Sequence, residues 1–230
     1  IGSELCRQLA RLGPSRLVLV DHSEPALFEI DRELARERGF LSGVAVIADA
    51  KDAAGIRHVF RTFRPTVIFH AAALKHVPIL EKDWSEGIKT NVIGSVNVAD
   101  AAVDACAAAM VMISTDKAIE PVSMLGATKR FAEMYCQALD ADLAHRIDGG
   151  RRPMRLIAVR FGNVLASNGS VVPKFKAQIE AGGPVTVTHP GMLRYFMAIR
   201  EACDLVFTAA SHALGPQRWD ASVYVLNMGQ

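Results

Sequence analysis

Residues 112–130 read MISTDKAIEPVSMLGATKR. Thr115, Asp116 and Lys117 put a hydroxyl, a carboxyl group and an amine at consecutive positions, and a second amine follows at Lys129. A neighbouring acid and amine can deliver and remove protons on adjacent carbons of one substrate. Four residues before Lys129 stands Leu125, a hydrocarbon where a proton acceptor would complete the set. The stretch therefore points to acid–base chemistry with one group missing.

The elements that must position these groups follow from hydrophobic patterning. Residues 16–21, 44–49, 65–73, 110–115, 155–162 and 223–229 are continuous apolar runs. Such runs predict strands covered on both faces. Helical patterns fill 2–11, 25–38, 53–64, 84–108, 123–143 and 172–181. Strand and helix alternate, which predicts an α/β fold built on a doubly wound parallel sheet. Such sheets bind ligands at the carboxyl ends of their strands, and Ser114 to Lys117 fall there. The alternation loosens from about Gly162. The expected division is a dinucleotide-binding part over 1–161, then a small C-terminal substrate lobe with a returning strand over 162–230. The chain opens inside a helix with no strand before it. The first strand and its glycine loop are expected to lie outside the chain as given.

Composition narrows the function class. Of 230 residues half are hydrophobic, enough for a sizeable core, and the net charge is only +2. That balance gives no reason to expect nucleic acid or a charged membrane surface as partner. Four cysteines, Cys6, Cys106, Cys136 and Cys203, lie far apart with no CxxC pair. The spacing argues against a zinc site or a disulfide framework and suits a reducing compartment. The longest apolar run, 101–113, is interrupted by Asp104 and is too short to cross a bilayer.

Other candidates flank the central motif. Asp21 ends the strand RLVLVD about twenty residues after Gly2. In a dinucleotide fold an acid there binds the adenosine ribose hydroxyls and repels a 2′-phosphate; elsewhere it caps a helix. Gly2 would be the last glycine of the phosphate loop, and Asp49 would face the adenine. Ala71, Ala72 and Ala73 in HAAALKHVP would let a flat ligand approach the backbone, or would simply pack a strand on a helix. Lys75 lies beside them. Asn91 sits inside a helix, where Asn is a poor former; it would hold a neighbouring strand's backbone open, or would simply be an exposed polar residue of the helix. In RFGNVLASNGSVVPKF, Asn163, Ser170 and Lys174 lie in or beside an amide-rich loop that opens a helix, a setting suited to anions. Arg194 would clamp a diphosphate, or would simply be a surface cation.

Taken together, VDHSE, FHAAALKHVP, TNVIGSVNV, STDKA, GATKR, RFGNVLASNGSVVPKF, GGPVTVTHP and RYFMAIREA stand in the order and spacing of one family. They resemble the CapD-like polysaccharide-biosynthesis proteins, nucleotide-sugar 4,6-dehydratases of the extended short-chain dehydrogenase/reductase superfamily. The resemblance covers nearly the whole chain. It implies a Rossmann-like fold, UDP-N-acetylglucosamine as substrate, a tightly held NAD(P)⁺ and a homo-oligomer. Asp21 favours NAD over NADP. Short family members carry Tyr four residues before the lysine, and long, membrane-anchored ones commonly carry Met. Leu125 matches neither and stands nearer the long group, which implies a cytoplasmic catalytic domain whose parent is anchored to the inner membrane by upstream helices. The segment itself is expected to make no membrane contact. The residues Gly191-Met192-Leu193 before Arg194 also depart from the usual pattern.

The resemblance implies roles. Hydride leaves sugar C4 as the C4 hydroxyl loses its proton, water leaves from C5 and C6, and the hydride returns to C6. Asp116 would protonate the departing C6 hydroxyl and a neutral Lys117 would take the C5 proton. Thr115 would hydrogen-bond the C4 oxygen, and Lys129 the nicotinamide ribose. With Leu125 in place, the C4 proton would leave through a water oriented by Thr115, or through Asp116. The alternatives are a nucleotide-sugar 4-epimerase and a non-catalytic dinucleotide-binding regulator.

Overall fold

The computed structural model describes residues 1–146, 152–165, 171–187, 189–192, 195–217 and 222–225. Its strands form parallel ladders. In one, β1 (Leu17–Asp21) pairs with β2 (Gly43–Ile47), Leu17 opposite Gly43 and Asp21 opposite Ile47. In the other, β3 (Val67–His70), β4 (Ala109–Ile113), β5 (Arg155–Arg160) and β8 (Val223–Val225) lie side by side in that order. Among the described residues no strand pairing joins β1 to β3. A short third pair, β6 (Asn163–Val164) with β7 (Phe196–Met197), stands apart from both.

Strand alternation builds two cores. Ala109, Val111 and Ile113 of β4 and Ile157 and Val159 of β5 face α9 (Ile199–Leu214), meeting Val206 and Ala209 together with Leu5 of α1 (Gly2–Arg11). Met110, Met112, Leu156 and Ala158 point the other way. They meet α3 (Ala53–Phe63), α6 (Gly94–Asp104) and α7 (Met124–His145) through Val59, Ala102 and Cys136. All five β4 residues are buried, as the apolar run requires. Burying each of Met110 and Met112 contributes about 1.5–3 kcal/mol. A smaller cluster, Leu19 with Leu27, Ile30 and Leu34, seats α2 (Glu24–Arg38) on β1.

Helix ends follow the local chemistry. Ser23 caps α2, with Pro25 in its first turn and Gly39 at φ 64° after its end. Asp52 caps α3 by accepting from Ala54 N and Gly55 N.

Several elements differ from the expectation. The strand predicted over 65–73 stops at His70, and Ala71 to Ala73 are irregular, because the following residues turn into α4 (Val77–Leu80). The helix predicted over 84–108 begins as α5 (Trp84–Gly87), widens into a π-helical segment over Ile88–Ile93, and continues as α6 only to Asp104. It ends there because Cys106 takes φ 56°. The patterning predicts no helix where α9 stands; its buried stripe is Ala202, Cys203, Val206, Ala209, Ala210 and Ala213. Alanine-rich stripes give weak periodic contrast. Within 162–230, α9 packs on the sheet and β8 pairs with β5. Residues 226–229 of the predicted last strand lie outside the described residues.

Candidate active site at the carboxyl edge of β4

Beyond Ile113 the chain keeps following β5: Ser114 N donates to Val159 O and Asp116 N to Phe161 O. It then makes one 3₁₀ turn, Asp116–Ala118, capped by Thr115. This turn brings three polar groups together. Thr115 Oγ1 donates to Asp116 Oδ1 at 2.9 Å, and Lys117 Nζ donates to the same oxygen at 2.8 Å. The Asp116 and Lys117 side chains keep 43% and 36% of their surface open. They are therefore paired and accessible at once.

The turn is held from behind by α7. A Cβ on Gly126 would lie 2.3 Å from Lys117 O and 3.2 Å from Pro121 Cβ, so only glycine allows this approach. The α7 start is capped twice, by Ser123 Oγ accepting from Gly126 N and by Glu81 Oε1 accepting from Met124 N. Leu125 is buried at 6% exposure, so the position one turn before Lys129 is packed hydrocarbon.

A charged layer lies beneath. Lys129, 5% exposed, donates Nζ to Ile113 O at 2.8 Å. Burial lowers its pKa to about 8, against the opposing pull of Cys136 and Glu133. Glu133 is fully buried. It accepts from Ser114 Oγ at 2.5 Å, from Arg160 Nε and Nη2 at 2.8 and 2.5 Å, and from Arg130 Nη1 at 3.3 Å. The hydrogen bond from Arg160 to Glu133 holds the guanidinium pKa above its ordinary value. Glu133 thereby ties the ends of β4 and β5 to the helix that carries Lys129. Sequence reading missed Glu133 and Arg160; the available signal was an acid one turn after Lys129, on the same helix face.

His70, at the end of β3, is buried and 2.9 Å from Ser95 Oγ. Ser95 Oγ donates to Asn91 O at 2.7 Å, so it accepts from His70, which places the ring hydrogen on Nε2. Burial, reinforced by Lys129, lowers the His70 pKa to about 3, and the ring is neutral at pH 7. Asn91 lies in the π-helical segment and is fully buried. Its amide pairs with the Leu74 backbone, accepting from N at 2.8 Å and donating to O at 3.0 Å. It also donates to Thr128 Oγ1 at 3.1 Å. The poor helix former thus fixes the segment that follows β3, including Ala71 to Ala73. Exposed Lys75 comes next and lines a shallow hollow with Leu74, His76, Ile79 and Asp83.

The second ladder carries the remaining acids. Asp21 ends β1; its Oδ1 accepts from Ser23 N at 2.9 Å, and the side chain is 47% exposed. Asp49 follows β2 at the same edge, with Oδ1 accepting from Lys51 N and Oδ2 3.5 Å from Lys51 Nζ. Asn97 of α6 donates to Ala50 O and Lys51 O, which fixes that loop. Gly2 opens α1, and among the described residues a Cβ there would meet nothing within 4 Å. Asn163 donates Nδ2 to Tyr195 O, joining β6 to β7. Lys174 is exposed on α8 (Val171–Glu180). Ser170 and Arg194 lie outside the described residues. The structure therefore brings together Thr115, Asp116, Lys117, Lys129 and Asn91 at the β3–β4–β5 edge, and Asp21 with Asp49 at the β1–β2 edge. Among the described residues no group of His, Cys, Asp or Glu could hold a metal ion, and no helix is long and apolar enough to cross a membrane.

Known proteins resemble the chain. The chain is 46% identical over 231 residues to the capsular polysaccharide biosynthesis protein CapD of Staphylococcus aureus, covering 100% of the chain and 36% of that protein. It is 41% identical over 145 residues to a UDP-glucose 4-epimerase of Rickettsia akari, covering 63% of the chain and 41% of that enzyme. The crystal structure of a double mutant of DesIV, a dTDP-glucose 4,6-dehydratase from Streptomyces venezuelae with NAD bound, superposes with a TM-score of 0.78 at 21% identity. The match covers 100% of the chain and 73% of DesIV, and it establishes the Rossmann-like fold. Over residues 1–230, with these motifs at the carboxyl edge of a parallel sheet, the chain belongs to the polysaccharide biosynthesis protein family.

Proposed function

We propose that the chain is the catalytic part of an enzyme that removes water from a UDP-N-acetyl-hexosamine, in the first instance UDP-N-acetylglucosamine. The product is the 4-keto-6-deoxy sugar, made for surface polysaccharide. The observation that carries this reading is the Asp116–Lys117 pair, in contact and accessible at the end of a central strand. Elimination across C5 and C6 needs one acid and one base side by side. Asp116 protonates the leaving C6 hydroxyl, Lys117 removes the C5 proton, and Thr115 binds the C4 oxygen.

The residues present fit a nicotinamide dinucleotide. Among the described residues Asp21 Oδ2 has no hydrogen-bond partner and the carboxylate is half exposed, so it can accept from ribose hydroxyls. Its charge disfavours a 2′-phosphate and therefore favours NAD over NADP. Asp49 stands at the same edge for the adenine. Ala71 to Ala73 offer a wall of small side chains fixed through Asn91, and Lys129 has N–H groups beyond the one given to Ile113 O. Bound there, the dinucleotide supplies a reversible hydride acceptor. Lys75, Asn163 and Lys174, with Ser170 and Arg194 outside the described residues, are the candidates for holding the UDP-sugar.

Likeness to the Rickettsia akari epimerase supports a second reading, inversion at C4. Proton NMR of the product from UDP-N-acetylglucosamine and full-length protein separates the two. Dehydration gives a new C6 methyl doublet, and epimerisation gives none. Asp116→Asn and Lys117→Ala should each lower turnover by about 10²–10⁴-fold with UDP affinity retained. Undiminished turnover in either variant removes that residue from the scheme.

A further inference from the structure

The wall of small side chains after β3 is fixed by a chain of hydrogen bonds, and the proposed reaction leaves the first members of that chain unused. His70 ends β3, opposite Met112 of β4, and Ala71 to Ala73 follow it at once. His70 Nε2 donates to Ser95 Oγ at 2.9 Å, and Ser95 Oγ donates to Asn91 O at 2.7 Å. Asn91 then binds both the N and the O of Leu74. His70 is 4% exposed and Ser95 is fully buried, so bulk water reaches neither partner.

Ser95 sits where the register of this helix is decided. Gly94 N donates to Lys89 O, five residues back, and ordinary α-helix begins with Gly94. A serine that bonds the carbonyl four residues behind it bends a helix, and Ser95 does so at this junction. On one side of the junction Asn91 holds Leu74. On the other, Asn97 donates to Ala50 O and Lys51 O, beside Asp49. One helical stretch thus fixes the loops after β2 and β3, the two loops proposed to line the dinucleotide. Val98 of α6 and Ile68 of β3 share the adjoining core. Apolar burial is non-directional and sets no register; the bond from His70 to Ser95 does.

We propose that His70 and Ser95 are positioning residues for hydride transfer. Their hydrogen bond sets the register of the helix that presents Asn91 and Asn97, and through it the place of the dinucleotide over the carboxyl edge. Neither side chain is open enough to touch a ligand, and both act through Asn91. The inference rests on hydride transfer from sugar C4 to a nicotinamide, the part of the proposed function that dehydration and epimerisation share. A displaced wall lengthens the path of the hydride, and a misplacement of about 1 Å can cost about 10²-fold in rate. The turn bearing Asp116 and Lys117 is fixed separately, by Gly126 against Lys117 O.

The test compares Ser95→Ala, Ser95→Thr and the double variant His70→Leu with Ser95→Ala, all in full-length protein. Ser95→Ala leaves the buried His70 donor unpaired, which lowers stability by itself. The double variant removes donor and acceptor together and should unfold like the wild type. It should nevertheless bind NAD about fivefold more weakly in calorimetry, roughly the worth of one hydrogen bond, and bind UDP as the wild type does. Turnover of UDP-N-acetylglucosamine should fall by about 10–10²-fold. Sugar deuterated at C4 should show a larger isotope effect than in the wild type, because hydride transfer has become the slow step. Ser95→Thr keeps the hydroxyl and should restore NAD affinity, turnover and isotope effect. A double variant that binds NAD and turns over at wild-type levels overturns the inference. So does slow turnover with wild-type NAD affinity and an unchanged isotope effect, the result that a purely structural pair would give. Should the double variant fail to fold, Ser95→Ala, corrected for its folded fraction, decides on the same readouts. None of these results alters the methyl doublet expected of the wild-type product, so the inference and the dehydration reading fail separately.

Discussion

Beneath the carboxyl edge, Glu133 has no exposed surface and is bound by Ser114 just beyond β4, by Arg160 of β5 and by Arg130 of its own helix. On α8, ten residues long, no residue is buried, and Val171, Val172 and Ile179 stand open to solvent. Both regions carry functional candidates, Thr115 to Lys117 above the first and Lys174 on the second. The difference is in what fixes them. The turn bearing Asp116 is set by a buried ion-pair network, by Gly126 against Lys117 O, and by two caps on α7. Lys174 rides on a helix that gains little from apolar burial within the described residues. The groups proposed to react are therefore preorganised by the fold, as electrostatic catalysis would require.

The contrast breaks most sharply at Glu133. Glu133→Ala leaves the largely buried Arg160 without its bidentate partner and strips Ser114 of its acceptor. Breaking a buried pair by removing one partner costs about 3–5 kcal/mol. Denaturant unfolding should register that loss, and Glu133→Gln should lose less because it keeps the shape and one acceptor. A change under about 1 kcal/mol for the alanine variant would mean that the layer does not hold the edge.

Lys129 tests the same layer with opposite sign. Its pKa is lowered from 10.5 to about 8 by burial, so the folded state holds this proton more weakly than the unfolded chain. Between pH 8 and 10.5 the unfolded state binds more protons, and stability rises with pH in that window. Below pH 8 both states are charged and the burial penalty is fully present. Lys129→Met should therefore unfold at higher denaturant at pH 7, by about 3–4 kcal/mol at ~1.4 kcal/mol per unit, and should lose the rise between pH 8 and 10.5. A destabilised methionine variant would show that the bond to Ile113 O outweighs the cost of burying the amine.

How much of this was legible in the sequence differs by region. The run AMVMI announced a strand covered on both faces, and STDK at its end announced polar groups at a ligand edge; β4 and its 3₁₀ turn are where the pattern put them. Asn91 was readable because Asn is costly inside a helix unless it binds something, and it binds Leu74 and Thr128. The π-helical widening around it was not, since no residue pattern separates one extra residue per turn from ordinary helix. Glu133 and Arg160 were overlooked for a different reason, the spacing of Glu133 from Lys129 being a weak sign by itself. Charged residues belong by default to solvent, and only the meeting of three elements reveals these as buried. Helix α9 escaped because alanine carries little apolar contrast, although its small side chains are what let it lie close on β4 and β5.

The smallest effect belongs to α8. Ile179 is 66% exposed on a helix with no buried residue. Replacing it with serine removes little area from the folded core, and surface changes of this kind stay within about 0.5 kcal/mol. Ile179→Ser should therefore unfold like the wild type, and should leave the Asp116–Lys117 turn untouched because α8 contributes none of the contacts that hold it. Denaturant unfolding of the chain over residues 1–230 is the measurement. A loss above about 1.5 kcal/mol would mean that this apolar side chain is covered in solution, and the contrast between a self-fixed edge and an open helix would then reflect what surrounds α8 rather than how the two regions are built.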